Sequence, residues 1–285
     1  MTTLQDKYNR TEAQIRHHYE VEKELANRLR NSTKEERKHL YNDVYDELYQ
    51  KIPHEPLVER TNNPEAQAWV ANQRLELLGE FLAPDKTYGE IGPGDCCVSL
   101  AVTQYVKQVY AIDVSQEISK KVKTPDNFKL VLFDGCNIPL PENSLDIVYS
   151  NQVIEHLHPE DALDQITSIF QVLALGGFLI CITPHRLSGP HDISQFFDQV
   201  ATCFHLKEYS IKELYQVLYK AGFGKIWLYK SYKKTHFKLP LNPLTLTLVG
   251  AVEGIVGSLP FKLKRKVARL PLLFRGITMV AQKGT

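Results

Sequence analysis

Little in the composition of this 285-residue chain marks a specialised class, and each absence excludes something. The formal net charge is only +1, so the basic footprint of a general nucleic-acid binder is missing. Cysteine is scarce. Five residues, Cys96, Cys97, Cys136, Cys181 and Cys203, are odd in number and lack C-x-x-C spacing. Neither a disulfide framework nor a zinc site is suggested, and reduced, mostly buried thiols in a cytoplasmic protein are expected. The first residues, Met1 to Lys7, contain no apolar run, so no secretory signal is expected. Internal repeats and low-complexity tracts are absent, and no spacing among the histidines resembles a metal site. What is there is ordinary globular stock, 43% apolar and 24% charged, enough to bury a sizeable core.

Residues 1–62 read as an N-terminal helical cap. Leu40, Val44 and Leu48 recur every four residues, one face of a helix that Thr33-x-x-Glu36 would open with a capping box. Tyr41, Tyr45 and Tyr49 form a neighbouring stripe, which either packs on the main body or walls a pocket. Asn63-Pro64-Glu65 starts a further helix, ending before Pro84. From 63 to 285 a single domain is expected in which strands alternate with helices: 86–91, 106–114, 128–134, 145–151, 177–183, 225–232 and 276–281, with helices between them, including 159–174 and one capped by Ser210-x-x-Glu213. That rhythm predicts an α/β, Rossmann-like, doubly wound sheet of seven strands, the last antiparallel.

The most informative stretch is Thr87 to Cys96, TYGEIGPGDC, a strand ending in an acidic residue followed by a glycine-rich turn and a helix start. Asp113 and Asp134 end the next two strands, so three carboxylates reach one sheet edge. The crevice outside the carboxyl ends of parallel strands is where such sheets bind ligands, and this one suits a nucleoside. Glycines let the backbone approach, and carboxylates accept hydrogen bonds from an amine, a ribose diol or an adenine amino group.

Five passages in order resemble the class I S-adenosylmethionine-dependent methyltransferases, in particular the methyltransferase type 11 group. They are Glu90-x-Gly92-x-Gly94-x-Cys96, Tyr110 to Ser115, Phe133-Asp134-Gly135 with Ile138 to Asp146, Ser150 to Leu157 with its Glu155-His156 pair, and Leu173 to Leu179. Cys96 stands where the family has a third glycine. The resemblance covers about residues 85–232 and the last strand. It implies S-adenosylmethionine as cofactor and methyl transfer as the activity. It also implies roles: Glu90, Gly92 and Gly94 at the methionine moiety, Asp113 on the ribose hydroxyls, Asp134 with Gly135 at the adenine, and Asn151 near the sulfonium. Two other readings are a nucleoside-binding scaffold without catalysis and an NAD-dependent oxidoreductase. The dinucleotide is disfavoured because Cys97 breaks G-x-G-x-x-G, and because Glu90 and Asp95 would set negative charge beside a pyrophosphate.

Methyl transfer asks mainly for proximity and alignment, with a base only where the acceptor loses a proton. His156, after strand four, and His185 and His191, in the polar stretch after strand five, are the candidate bases. His205 reads as a loop-ordering residue. Residues 233–275 read as an insertion between the last two strands. Residues 239–260 contain one charge, Glu253, and Lys262, Lys264, Lys266, Arg265 and Arg269 follow. Prolines and glycines argue against a span. A helical lid with leucines facing the cofactor crevice is the first expectation; a peripheral membrane contact through 239–269 and an oligomer interface are the others. The lidded, apolar pocket so drawn suits a small-molecule, lipid-linked or sugar-like acceptor, methylated at oxygen.

Overall fold

The computed structural model describes residues 6, 8, 10–115, 123–232 and 235–284. Four helices come first: α1 (Glu12–Asn31), α2 (Lys34–Lys51), α3 (Pro56–Thr61) and α4 (Pro64–Leu78). Thr11, Thr33 and Asn63 cap α1, α2 and α4 with side-chain oxygens, the first two as full capping boxes. The sheet follows: β1 (Thr87–Ile91), α5 (Cys97–Val102), β2 (Gln108–Asp113), β3 (Phe128–Leu132), β4 (Leu145–Asn151), α6 (Asp161–Val172), β5 (Leu173–Pro184), α7 (Ile211–Lys220), β6 (Lys225–Tyr232), β7 (Thr235–Pro240), α8 (Pro243–Gly257), α9 (Phe261–Ala268) and β8 (Gly276–Gln282). The helix expected between β2 and β3 falls on 116–122, outside the described residues.

Strand order is β3-β2-β1-β4-β5-β8-β6-β7. β1 to β5 pair in parallel, while β8 runs antiparallel between β5 and β6. The chain winds one way from β1 to β3 and the other from β4 onward, so a crevice opens at the carboxyl ends of β1 and β4. The sheet has one strand beyond the seven expected. Residues 235–240, read as part of an insertion, pair with β6 as an edge strand.

The helical cap shares the main core: Val21, Leu25, Tyr41, Val44 and Leu48 pack in one buried cluster with Ile91, Ile112 and Val148 of the sheet. Arg37 fixes α2 to α6. Its guanidinium, fully buried, donates to both Asp161 oxygens at 2.6 and 2.9 Å and to Glu160 at 2.8 Å. The Tyr41 hydroxyl donates to Asp161 at 2.7 Å and accepts the His158 N–H at 2.8 Å. Asp161 is thereby compensated twice, as a buried carboxylate must be.

Candidate active site

Backbone shape at the carboxyl edge explains the glycines there. Gly92, Gly94 and Gly135 adopt φ of 63°, 56° and 91°. A Cβ on Gly92 would come 2.7 Å from Val153, and one on Gly135 would come 2.9 Å from the Tyr41 ring. Side chains at these positions would fill the cradle and strain it. Cys96, the departure from the third glycine, still holds the left-handed conformation at φ 58° and is buried. The turn therefore keeps its shape with a small side chain in a conformation that favours glycine.

These turns floor a cavity of about 240 Å³ lined by Gly92, Gly94, Asp113, Ser115, Gly135, Gln152, Val153 and His156. Its opposite wall comes from the cap: Glu22 of α1, Tyr41, Tyr45 and Tyr49 of α2, Glu55 just before α3 and Leu57 within it. The tyrosine stripe thus both packs and walls the pocket. Tyr45 lies 5.2 Å from Phe204 and 6.3 Å from His156, ring to ring. Asp113 is drawn in with its carboxylate accepting the Ser115 N–H at 3.2 Å; burial pushes its pKa up to about 6 despite that bond and those from Val114 and Gly94.

Other expected contacts fall elsewhere. Glu90 does not line the cavity; its carboxylate lies under the turn, accepting hydrogen bonds from Ser99 and Tyr88. Burial, with Asp95 nearby, pushes it up to about 8, so it carries little charge at pH 7. Asp95 is bound by Arg60 at 2.7 and 3.0 Å. The negative charge expected to repel a pyrophosphate is therefore largely cancelled, one carboxyl by proton and the other by ion pair. Asp134 turns back on its own loop, accepting from the Cys136 and Asn137 backbones at 2.8 and 2.6 Å, and leaves the cavity to Gly135. Asn151 also stays off the lining, its Oδ1 buried without a partner, while the next residue, Gln152, reaches in at φ 59°. Glu22, Tyr45, Glu55, Gln152 and Phe204 were not among the expected site residues; only the tyrosine spacing signalled any of them.

Of the three candidate bases, one lines this cavity. His156 is held neutral by burial and by the neighbouring His205, its pKa pushed down to about 3. His205 is itself raised to about 9: burial opposes its charge, but Glu208 at 2.9 Å, with Glu155 and Asp192, outweighs it. His185 is fully buried away from the cavity, Nε2 2.7 Å from Glu253 and Nδ1 accepting the Leu187 N–H, which makes it a tie between the strand-five loop and α8. His191 sits 2.8 Å from the Ser188 hydroxyl and lines a second, more polar cavity of about 790 Å³ with Arg10, His18, Arg269 and Arg275. That cavity shares Glu22 and Glu55 with the first.

The 233–275 segment does not place the expected leucines over the first cavity, although Arg269 and Arg275 of the same segment line the second. No residue of α8 or α9 lines the first cavity. Glu253 explains why: besides its contact to His185, it accepts the Ile211 N–H at 2.8 Å and moors α8 to the start of α7. Among the described residues no helix is long and apolar enough to cross a membrane.

Residues 89–181 match a methyltransferase domain family. A probable S-adenosylmethionine-dependent methyltransferase of Mycobacterium tuberculosis is 26% identical over 197 residues, 60% of this chain and 70% of the relative. A second, from Mycolicibacterium smegmatis, is 37% identical over 88 residues, 31% of this chain and 32% of that one. Among solved structures, a Haloferax volcanii methyltransferase in complex with the Trm112 methyltransferase activator superposes with a TM-score of 0.55 at 15% identity, over 79% of this chain and 93% of that one. A SAM-dependent methyltransferase of Archaeoglobus fulgidus gives 0.51 at 16%, over 76% and 94%. The solved structures share the fold, and the sequence matches carry the family.

Proposed function

The chain belongs to the class I S-adenosylmethionine-dependent methyltransferases, and from that premise we propose that it methylates a hydroxyl oxygen of a polar acceptor, small, sugar-like or lipid-linked. The observation that carries this reading is the pairing of cavities. A pocket walled by glycine turns and aromatics shares Glu22 and Glu55 with a wider polar cavity suited to a hydroxylated substrate.

The residues fit the cofactor. Gly92, Gly94 and Gly135 leave room for its backbone-hugging parts, Asp113 can accept the two ribose hydroxyls, and Tyr45, Tyr49 and Phe204 offer aromatic faces to a cationic sulfonium. Bound there, S-adenosylmethionine supplies an electrophilic methyl carbon. The chain's own work is alignment and exclusion of water, which accounts for most of the rate in such a displacement. As the new C–O bond forms, the hydroxyl proton needs a taker. An imidazole held at about pKa 3 is too weak a base near neutral pH, so His156 orients the acceptor as a neutral ring, and the proton leaves towards solvent by way of the Glu22 and Glu55 carboxylates, which line both cavities.

The test is a screen of hydroxyl, amine and carboxyl acceptors with a labelled methyl donor, the product's linkage read by its resistance to base and acid. A methyl ether supports the reading, and transfer confined to nitrogen refutes it. Glu22→Gln and Glu55→Gln should lower kcat on the hydroxyl acceptor, with binding of S-adenosylhomocysteine retained.

A further inference from the structure

The helix that fails to cover the active site leaves an apolar face of its own uncovered. On its inner side α8 packs Leu246, Val249 and Val256 against the core. Its one charged residue, Glu253, also turns inward, spent on His185 and the Ile211 amide. The outer side carries Leu244, Leu248, Val252 and Ile255, which are 69%, 59%, 42% and 68% exposed. At about 100° per residue these four fall within an arc of roughly 80°, along about 16 Å of axis. A helix apolar on both sides is unusual at a water-facing surface, and this one has no charge left for its outer side.

The next helix supplies the complement. From 241 to 275 the sequence contains six basic residues and one acidic residue, Glu253. Lys264 and Arg265 of α9 each lie 5.5 Å from the Phe261 ring centre. Among the described residues Lys262, Lys264 and Lys266 form no ion pair with a carboxylate, and Lys262 and Lys266 are exposed. Unshielded cations beside exposed aliphatic side chains match an anionic, apolar boundary. A second copy of the chain matches poorly, because a two-fold contact would set the same cations against one another.

We propose that α8 and α9 seat this enzyme on an anionic lipid surface, with Leu244, Leu248 and Ile255 entering the headgroup boundary and Lys262, Lys264 and Lys266 meeting the headgroup charges. Arg269, the C-cap of α9, also lines the polar cavity beside the methyl-transfer pocket. The docking surface therefore runs up to the wall through which a lipid-linked acceptor would be received. The surface does not depend on the oxygen-acceptor reading, and its test needs no turnover.

The full-length protein is sedimented with phosphatidylcholine vesicles, with and without about one-quarter phosphatidylglycerol. Expected is pelleting with the anionic vesicles at low salt, little with the neutral ones, and at least about a tenfold fall in the partition coefficient in 0.5 M salt, where charges are screened within about 4 Å. Leu248→Asp with Ile255→Asp, and separately Lys262→Glu with Lys264→Glu and Lys266→Glu, should each reduce it about tenfold. Both variants should melt and bind S-adenosylhomocysteine like the parent, since Leu248, Ile255, Lys262 and Lys266 are exposed and Lys264 is half-buried only against the Phe261 ring. Absence of pelleting at low salt overturns the proposal, as does pelleting that either folded variant retains in full. A dimer that the Leu248/Ile255 variant separates, without vesicle binding by the parent, overturns it in favour of a contact between copies.

Discussion

Asp113→Asn should make the ligand-free protein more stable and the cofactor complex weaker. The opposite signs come from one cause. Burial lifts the Asp113 pKa from its ordinary 3.8 to about 6, a rise of about two decades at 1.36 kcal/mol each. The side chain is only partly buried, and water reaching it reduces the cost of the charge at neutral pH from about 3 to about 1–2 kcal/mol. Over the window between the two values the folded chain holds more protons than the unfolded one. Stability contributed by this group therefore falls as pH rises from about 4 to about 6, and is level above. Asparagine keeps an oxygen for the Ser115 N–H at 3.2 Å without the charge, so the variant should gain about 1–2 kcal/mol at pH 7 and lose that pH slope. Its hydrogen bonds to the ribose are no longer to a charged group, and affinity for S-adenosylhomocysteine should fall by about 2–3 kcal/mol, roughly 30- to 150-fold. Urea unfolding of the ligand-free protein at pH 5 and 7, with calorimetry at pH 7.5, measures both. A variant that binds as tightly as the parent refutes the assignment of Asp113 to the ribose. A variant destabilised at pH 7 refutes the claim that its charge opposes folding.

Gly135→Ala should cost about 1–3 kcal/mol of stability by strain at φ 91° and by contact with the Tyr41 ring, and should weaken S-adenosylhomocysteine binding, both visible in melting with and without ligand. Arg37→Leu leaves Asp161 buried with only the Tyr41 hydroxyl, so urea unfolding should show a loss of about 3–5 kcal/mol, much of it recovered by adding Asp161→Asn. His205 titrates near 9 when folded and near 6.5 when unfolded, so the stability it contributes is complete below about 6.5 and is lost as pH rises through about 9. Glu208→Gln, by removing the partner that raises it, should flatten that alkaline decline in a series of melts.

Much of this protein was determined by local sequence. Helix starts at Thr33, Asn63 and Ser210 lie where the capping side chains are, because an N-cap is satisfied within four residues of itself. Strands β4 and β6 have the limits their apolar runs predict, and the glycine turn after β1 declares its left-handed backbone through Gly92 and Gly94. The family is written in the same way, as short motifs at strand ends. What tertiary structure decided is which side chains those motifs share space with. Tyr45 enters the pocket because a buried Arg37–Asp161 pair, spanning more than a hundred residues, docks α2 over the sheet edge, and Glu22 comes with α1, which packs on α2. Glu90 and Asp134 leave it because Ser99 and the Asn137 amide bind them closer to home. His156 loses its use as a base through burial, with the charge of His205 beside it, and sequence spacing reveals neither. The fate of α8 hangs on one carboxylate. Glu253 finds His185 and the Ile211 amide across the fold, and that contact moors a helix expected over the active site so that Leu244 and Leu248 face outward.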